Sequence, residues 1–229
     1  MKKQLFNILI IFILLLLPIS CKKNELKKPT DVTFKMDINR NVSQQGHLVF
    51  NDGNILIQDF TIEGERKEGE SVSFSKSFPQ GLNINFSPTN SISELVFDIP
   101  QGDYYSLVID FSTKYNNGNS NLTVKGTYTN TSGVSTPLIY EFRDDDNISI
   151  VGEDDEGDAT IVLSKDTPVN TLIKFDPIYW FAPVSNNLLD NATLENINGV
   201  QTILVNSSTN EDIYDLVVDR MEETALALW

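Results

Sequence analysis

Val32-Thr33-Phe34-Lys35-Met36-Asp37-Ile38 alternates apolar and polar side chains without a break. A period of two places every second side chain on one face of an extended strand, whereas a helix repeats after about 3.6 residues. The same period recurs down the chain. Residues 54–62 begin as an apolar run and end alternating, residues 71–78 and 82–86 alternate, and 107–111 do so in part. Further strand candidates are 122–128, 138–142, 148–151, 160–163, 171–175 and 200–205. Turn chemistry separates them: Asn51-Asp52-Gly53, Glu63-Gly64, Pro100-Gln101-Gly102-Asp103, Asn116-Asn117-Gly118 and Thr131-Ser132-Gly133. About ten short strands at this spacing predict a mainly β protein, an antiparallel β-sandwich with one wet and one buried face per strand. Long βα alternation is missing, which argues against a parallel sheet.

The last third changes character. Asp176 to Pro183 is an aromatic segment between two prolines, and 186–196 reads as a short helix. A C-terminal helix opens after Asn210, which reads as its cap, with Glu211 and Asp212 suiting the positive end of the helix dipole. Ile213, Leu216, Val217 and Met221 form a stripe continuing toward Leu228, and Asp215, Asp219, Glu222 and Glu223 line the other side. The helix is expected to pack on the sandwich. Residues 31–229 read as one domain, with no internal repeat and no linker after residue 30.

The chain has 229 residues, 17 Lys+Arg against 32 Asp+Glu, a net charge of −15, one His and one Cys. An acidic balance argues against nucleic acid, whose phosphates demand clustered Lys and Arg. One His and one Cys exclude Cys/His zinc sites and disulfides within the chain.

The N-terminus carries the most specific signal. Lys2 and Lys3 precede a nearly unbroken apolar run at 5–17, then Pro18-Ile19-Ser20-Cys21. This is the layout of a secretory signal, too short to span a bilayer comfortably. With the only Cys directly after a small residue, and Ile19 two positions before it, the segment resembles a bacterial lipoprotein signal. Pro18 stands where the usual pattern has Leu, with Leu17 one step away. The resemblance implies removal of residues 1–20, lipidation of Cys21, and anchoring in the outer membrane of a Gram-negative cell, the body facing the periplasm or the exterior. The mature chain would carry 15 basic against 32 acidic residues, or −17. Residues 21–30 form a basic tether containing Lys22, Lys23, Lys27 and Lys28. Such a tether resembles the surface-export tethers of Bacteroidota lipoproteins. It suits anionic headgroups, which repel the acidic body.

A second resemblance lies at 95–104. An apolar strand, then Pro100, Gly102 and Tyr104, looks like the hairpin of transthyretin-like sandwiches in Bacteroidota lipoproteins, fimbrillin-type pilus subunits included. Pro100 ends pairing, Gly102 supplies a turn and Tyr104 re-enters the sheet. A fimbrillin-like chain would also lose an N-terminal strand after a basic residue, a position that Arg40 occupies.

Candidate chemistry is sparse. His47 has no nucleophile motif beside it and reads as a surface residue. Asp144, Asp145 and Asp146 precede strand 148–151, and Glu153, Asp154, Asp155, Glu156 and Asp158 follow it: eight carboxylates in fifteen residues. Ca²⁺ takes about six to eight oxygens from such loops. The strand separates the two groups by roughly 13 Å, so a weak Ca²⁺ site would sit within 153–158, against the plain alternative of a solvated acidic hairpin. Tyr179, Trp180 and Phe181 offer a sugar-stacking platform, against the alternative that they are core. Seven Asn-x-Ser/Thr triplets occur, at Asn41, Asn85, Asn121, Asn130, Asn147, Asn191 and Asn206; the bacterial source that the lipoprotein resemblance implies makes them chance products of an Asn/Ser/Thr-rich chain rather than glycosylation sites. The reading that emerges is a lipid-anchored, non-catalytic binding or structural module with a protein or glycan partner and no required cofactor. The alternatives are a pilus or adhesin subunit that exchanges strands, and below it a secreted hydrolase.

Overall fold

The computed structural model describes residues 28–113, 119–154, 160–221 and 225–229. The leading alternation becomes β1 (Pro29–Ile38), with Val32, Phe34, Met36 and Ile38 buried. The strands that follow are β2 (Leu48–Arg66), β3 (Val72–Asn85), β4 (Val96–Pro100), β5 (Gly102–Thr113), β6 (Leu122–Thr129), β7 (Ser135–Phe142), β8 (Asn147–Glu153), β9 (Ile161–Leu163) and β10 (Val169–Phe175). Helices α1 (Pro177–Trp180) and α2 (Asn186–Asp190) lead to β11 (Leu194–Ile197) and β12 (Val200–Val205). Helix α3 (Glu211–Met221) and β13 (Ala225–Leu228) close the chain. The protein is mainly β, as its period of two requires.

β2 is the spine. From Ile57 to Gly64 it pairs with β3 on one edge and β5 on the other. Asn54 and Ile55 pair with both β3 and β6, so β6 continues the edge that β5 occupies. Outward from β6 come β7, β12 and β11. Outward from β5 come β8 and β9, and from β8 the chain of pairings runs β13, β10, β1, β4. This second wing folds over the first. β4 returns to β3, where Lys76 Nζ donates to the carbonyls of Glu94 at 2.7 Å and Val96 at 2.8 Å. Rings fill the space between: Phe34 lies 5.1 Å from Phe60 and 5.9 Å from Phe97, and Phe111 6.1 Å from Phe175. Over the other wing the helices form the cover, with Tyr140 of β7 5.9 Å from Tyr214 of α3 and Phe50 of β2 5.2 Å from Phe181.

Several expectations are corrected. Most ladders are antiparallel, but β1/β10, β7/β12 and β8/β13 are parallel. These partners lie far apart in the chain, so no local crossover helix betrays them. Asn51-Asp52-Gly53 and Glu63-Gly64 are not turns; both lie within β2. Register shifts between Phe50 and Asp52, and a Cβ on Gly53 would stand 2.3 Å from the carbonyl oxygen of Thr123. There the glycine permits close approach of the neighbouring backbone. The two strand candidates at 71–86 are one strand, β3, with an irregularity between them. Residues 186–196 are helical only as far as Asp190. Asn198 and Gly199, at φ 53° and 85°, then turn β11 into β12. The Asn-Gly pair is the strongest short hairpin signal, and it overrides the helical reading. The C-terminal helix is described as far as Met221, and its expected continuation toward Leu228 is overturned, because Ala225–Leu228 is a strand between β8 and β10. The Asn210 side chain does not cap α3. It donates to the carbonyls of Thr193 and Leu204 and accepts from the Thr193 N–H, while its own carbonyl accepts from Ile213 and Tyr214.

Candidate functional site

The 95–104 segment is a corner rather than a hairpin. β4 pairs with β1 and β5 with β2, so Pro100-Gln101-Gly102 carries the chain between layers. Tyr104 turns inward, fully buried, and its hydroxyl donates to the Pro100 carbonyl at 2.6 Å. This tyrosine corner clamps the crossing. Burial, only partly offset by the nearby Arg66 guanidinium, pushes the phenol up to about 12.

Asp176 caps α1 by accepting from the N–H groups of Ile178 and Tyr179, with Pro177 at the first position. That turn drives Trp180 and Phe181 into the core, at 0% and 1% exposure. The three aromatics therefore form no sugar-stacking platform. Tyr179 alone reaches the surface, with the Arg220 guanidinium 4.9 Å from its ring centroid.

His47 is half-buried and sits edge-on to Tyr128 at 5.9 Å. Tyr128 in turn donates to Asp190 Oδ1 at 2.7 Å, and burial followed by that carboxylate raises its phenol to about 12. Ser43 Oγ accepts the backbone N–H of His47 at 3.3 Å, and among the described residues no nucleophilic side chain is seen to meet His47 Nδ1. Arg40 is part of the scaffold: it holds Asp37, 5% exposed, at 2.6 Å and donates to the carbonyls of Asn51 and Phe86.

Of the Ca²⁺ candidates, Glu153 and Asp154 are half-buried at the end of β8, and Glu153 accepts the Trp229 N–H through its backbone carbonyl. Asp155, Glu156 and Asp158 lie outside the described residues, as do Cys21 and the rest of the N-terminal segment through residue 27. The described residues contain no group of three or more Asp, Glu, His or Cys side chains arranged to hold a metal.

The other acidic run, Asp144-Asp145-Asp146, has more structure than its sequence suggests. Thr113 Oγ1 at the end of β5 donates to the Asp144 carbonyl at 3.3 Å and accepts the Asp146 N–H at 3.1 Å. Asn121, before β6, donates its Nδ2 to the same Asp144 carbonyl at 2.7 Å. Tyr214 of α3 lies 3.4 Å from Asp144 Oδ2, and its phenol is raised to about 12 by burial first and Asp144 second. Tyr140 beneath is pushed higher still by burial. Neither Thr113 nor Asn121 stood out as a site residue in the sequence, since nothing in a strand pattern marks which distant polar residue meets a loop. Among the described residues no helix is long and apolar enough to cross a membrane. No protein-family model, curated protein or solved structure matches the chain.

Proposed function

We propose that the protein is a cell-envelope lipoprotein of a Gram-negative bacterium, anchored through a lipid on Cys21 and acting as a non-catalytic binding or structural module. One observation carries the reading: the only Cys in the chain directly follows Ile19-Ser20 at the end of a positively led apolar run. A thiol in that position serves a lipid more economically than a disulfide or a redox centre. The fold supports the arrangement mechanically. β1 starts at Pro29, eight residues after Cys21, so at about 3.4 Å per residue the tether reaches no more than roughly 27 Å. The acidic body is thereby held within about its own radius of the headgroups, with Lys22, Lys23, Lys27 and Lys28 between them. On this reading its partner, a protein or a glycan, lies in the envelope.

Metabolic labelling with a radioactive fatty acid in a Gram-negative host tests the reading. Wild type is expected to take up label and fractionate with membranes, and Cys21→Ala to lose both. Label persisting in Cys21→Ala, or absent from wild type, refutes the proposal.

A further inference from the structure

We propose that the corner where β5, β6, β7 and β8 meet binds a hard divalent cation of the Ca²⁺ class through Asn121 Oδ1 and Asp146 Oδ2. Asn121 is fully buried, and its amide orientation is set by the Nδ2 bond to the Asp144 carbonyl. Turning the amide over would press oxygen against oxygen. In the orientation required, Oδ1 is buried and meets no donor. Asp146 is tied down on three sides: its N–H donates to Thr113 Oγ1, its carbonyl accepts the Thr113 N–H at 2.8 Å, and its Oδ1 accepts the Asn147 N–H at 2.8 Å. Its Oδ2 is nonetheless buried without a donor.

Buried acceptors are nearly always paired, and a water satisfies a neutral one. A buried carboxylate oxygen asks for positive charge. Arg143, the nearest base along the chain, puts its Nη2 on Glu141 Oε2 at 2.6 Å, and its buried Nε meets no acceptor, so the guanidinium does not serve Asp146 Oδ2. One carboxylate oxygen and one amide oxygen, with water completing the shell, are donors that suit Ca²⁺ and not a thiophilic or imidazole-seeking metal. The corner is distinct from the Glu153–Asp154 end of β8, because a strand of seven residues separates them by roughly 20 Å.

Tyr214 beside Asp144 makes the site readable, since an excited phenol sensitises bound Tb³⁺. Detergent-solubilised full-length protein is titrated with Tb³⁺, the emission is competed with Ca²⁺ at constant ionic strength, and Ca²⁺ binding is measured by calorimetry. The expected result is emission that Ca²⁺ displaces, Ca²⁺ affinity at least about tenfold weaker in Asp146→Asn, and affinity unchanged in Glu153→Gln/Asp154→Asn. Emission that Ca²⁺ does not displace, unchanged affinity in Asp146→Asn, or loss of binding in the Glu153/Asp154 variant overturns the proposal. If Asp146→Asn fails to fold, amide spectra of the wild type decide. Ca²⁺-induced shifts centred on Asn121 and Asp146 support the site, while shifts centred on Glu153 and Asp154, or none, overturn it.

Discussion

Gly64→Ala probes the tyrosine corner from the opposite strand. Gly64 is buried within β2, and an added Cβ would stand 2.6 Å from Tyr104 Cε1, 2.8 Å from its Cδ1 and 3.0 Å from Leu107 Cδ2. A free side chain would swing aside, but the Tyr104 ring is fully buried and its hydroxyl is held by the Pro100 carbonyl at 2.6 Å. Overpacking costs about 1–3 kcal/mol, and loosening the hydroxyl bond about 1 kcal/mol more. Alanine returns about 0.5–1 kcal/mol by restricting the unfolded chain. The net loss is about 2 kcal/mol, which for a domain near this size lowers Tm by about 4–8 °C. Thermal melts followed by circular dichroism measure it. A double-mutant cycle isolates the cause. Tyr104→Ala alone should cost about 3–5 kcal/mol. In that background the methyl introduced by Gly64→Ala meets no ring and should add almost nothing, a coupling of about 2 kcal/mol. Wild-type melting of Gly64→Ala, or strict additivity in the cycle, refutes the clamp.

Other contacts carry three further outcomes. Tyr104, Tyr128 and Tyr214 are each raised to about 12, with burial the leading cause. Their neutral forms therefore favour the folded state fully below the unfolded phenol value near 10, and that stability drains as pH rises from there through about 12. Urea midpoints against pH should fall in that window as phenolate absorbance appears, and a flat profile contradicts it. Arg40→Ala leaves the Asp37 carboxylate, 5% exposed, without its 2.6 Å partner; about 2 kcal/mol of stability should go, the size of a hydrogen bond to a charged group, and equal denaturation midpoints would show the pair is inert. Deletion of residues 1–40 removes β1 from between β10 and β4 and should abolish cooperative unfolding. A soluble, cooperatively folded remainder that oligomerises with concentration would instead favour strand exchange between subunits.

The period of two was a sound guide to strands because it reports which side chains face a core, and β1 buries Val32, Phe34, Met36 and Ile38 in that order. It carries no information about which edge meets which. β1 lies beside β10, pairing Val32 with Val169, and that pairing is parallel although no crossover helix joins consecutive strands. Turn chemistry misled for a related reason. Gly64 and Gly53 look like breaks, yet each is a point where something approaches the strand too closely for a Cβ: an aromatic ring at one, a neighbouring carbonyl at the other. Asn198-Gly199 looks the same on paper and is a true turn, with both residues at positive φ. A glycine announces that room is needed, and only the tertiary fold says whether the chain or its neighbour uses it.

The same limit governs the polar residues. Acidic runs are conspicuous in sequence, so the eye goes to the densest, at 153–158. Density along the chain is a poor guide to coordination, because adjacent carboxylates repel one another and their spacing does not say which oxygens the tertiary fold brings together. Asp146 is held by residues far along the chain. Thr113 lies 33 positions before it and Asn121 lies 23 before Asp144, and β5, β6 and β7 bring all of them to one corner. What makes an oxygen available to a ligand there is that its neighbours are already committed. Asp146 Oδ1 and the Thr113 hydroxyl have partners, and Asp146 Oδ2 and Asn121 Oδ1 do not. Pairing of that kind arises only once the strands are in register, so a candidate site in a β protein of this type has to be sought among the unmatched members of a hydrogen-bond network.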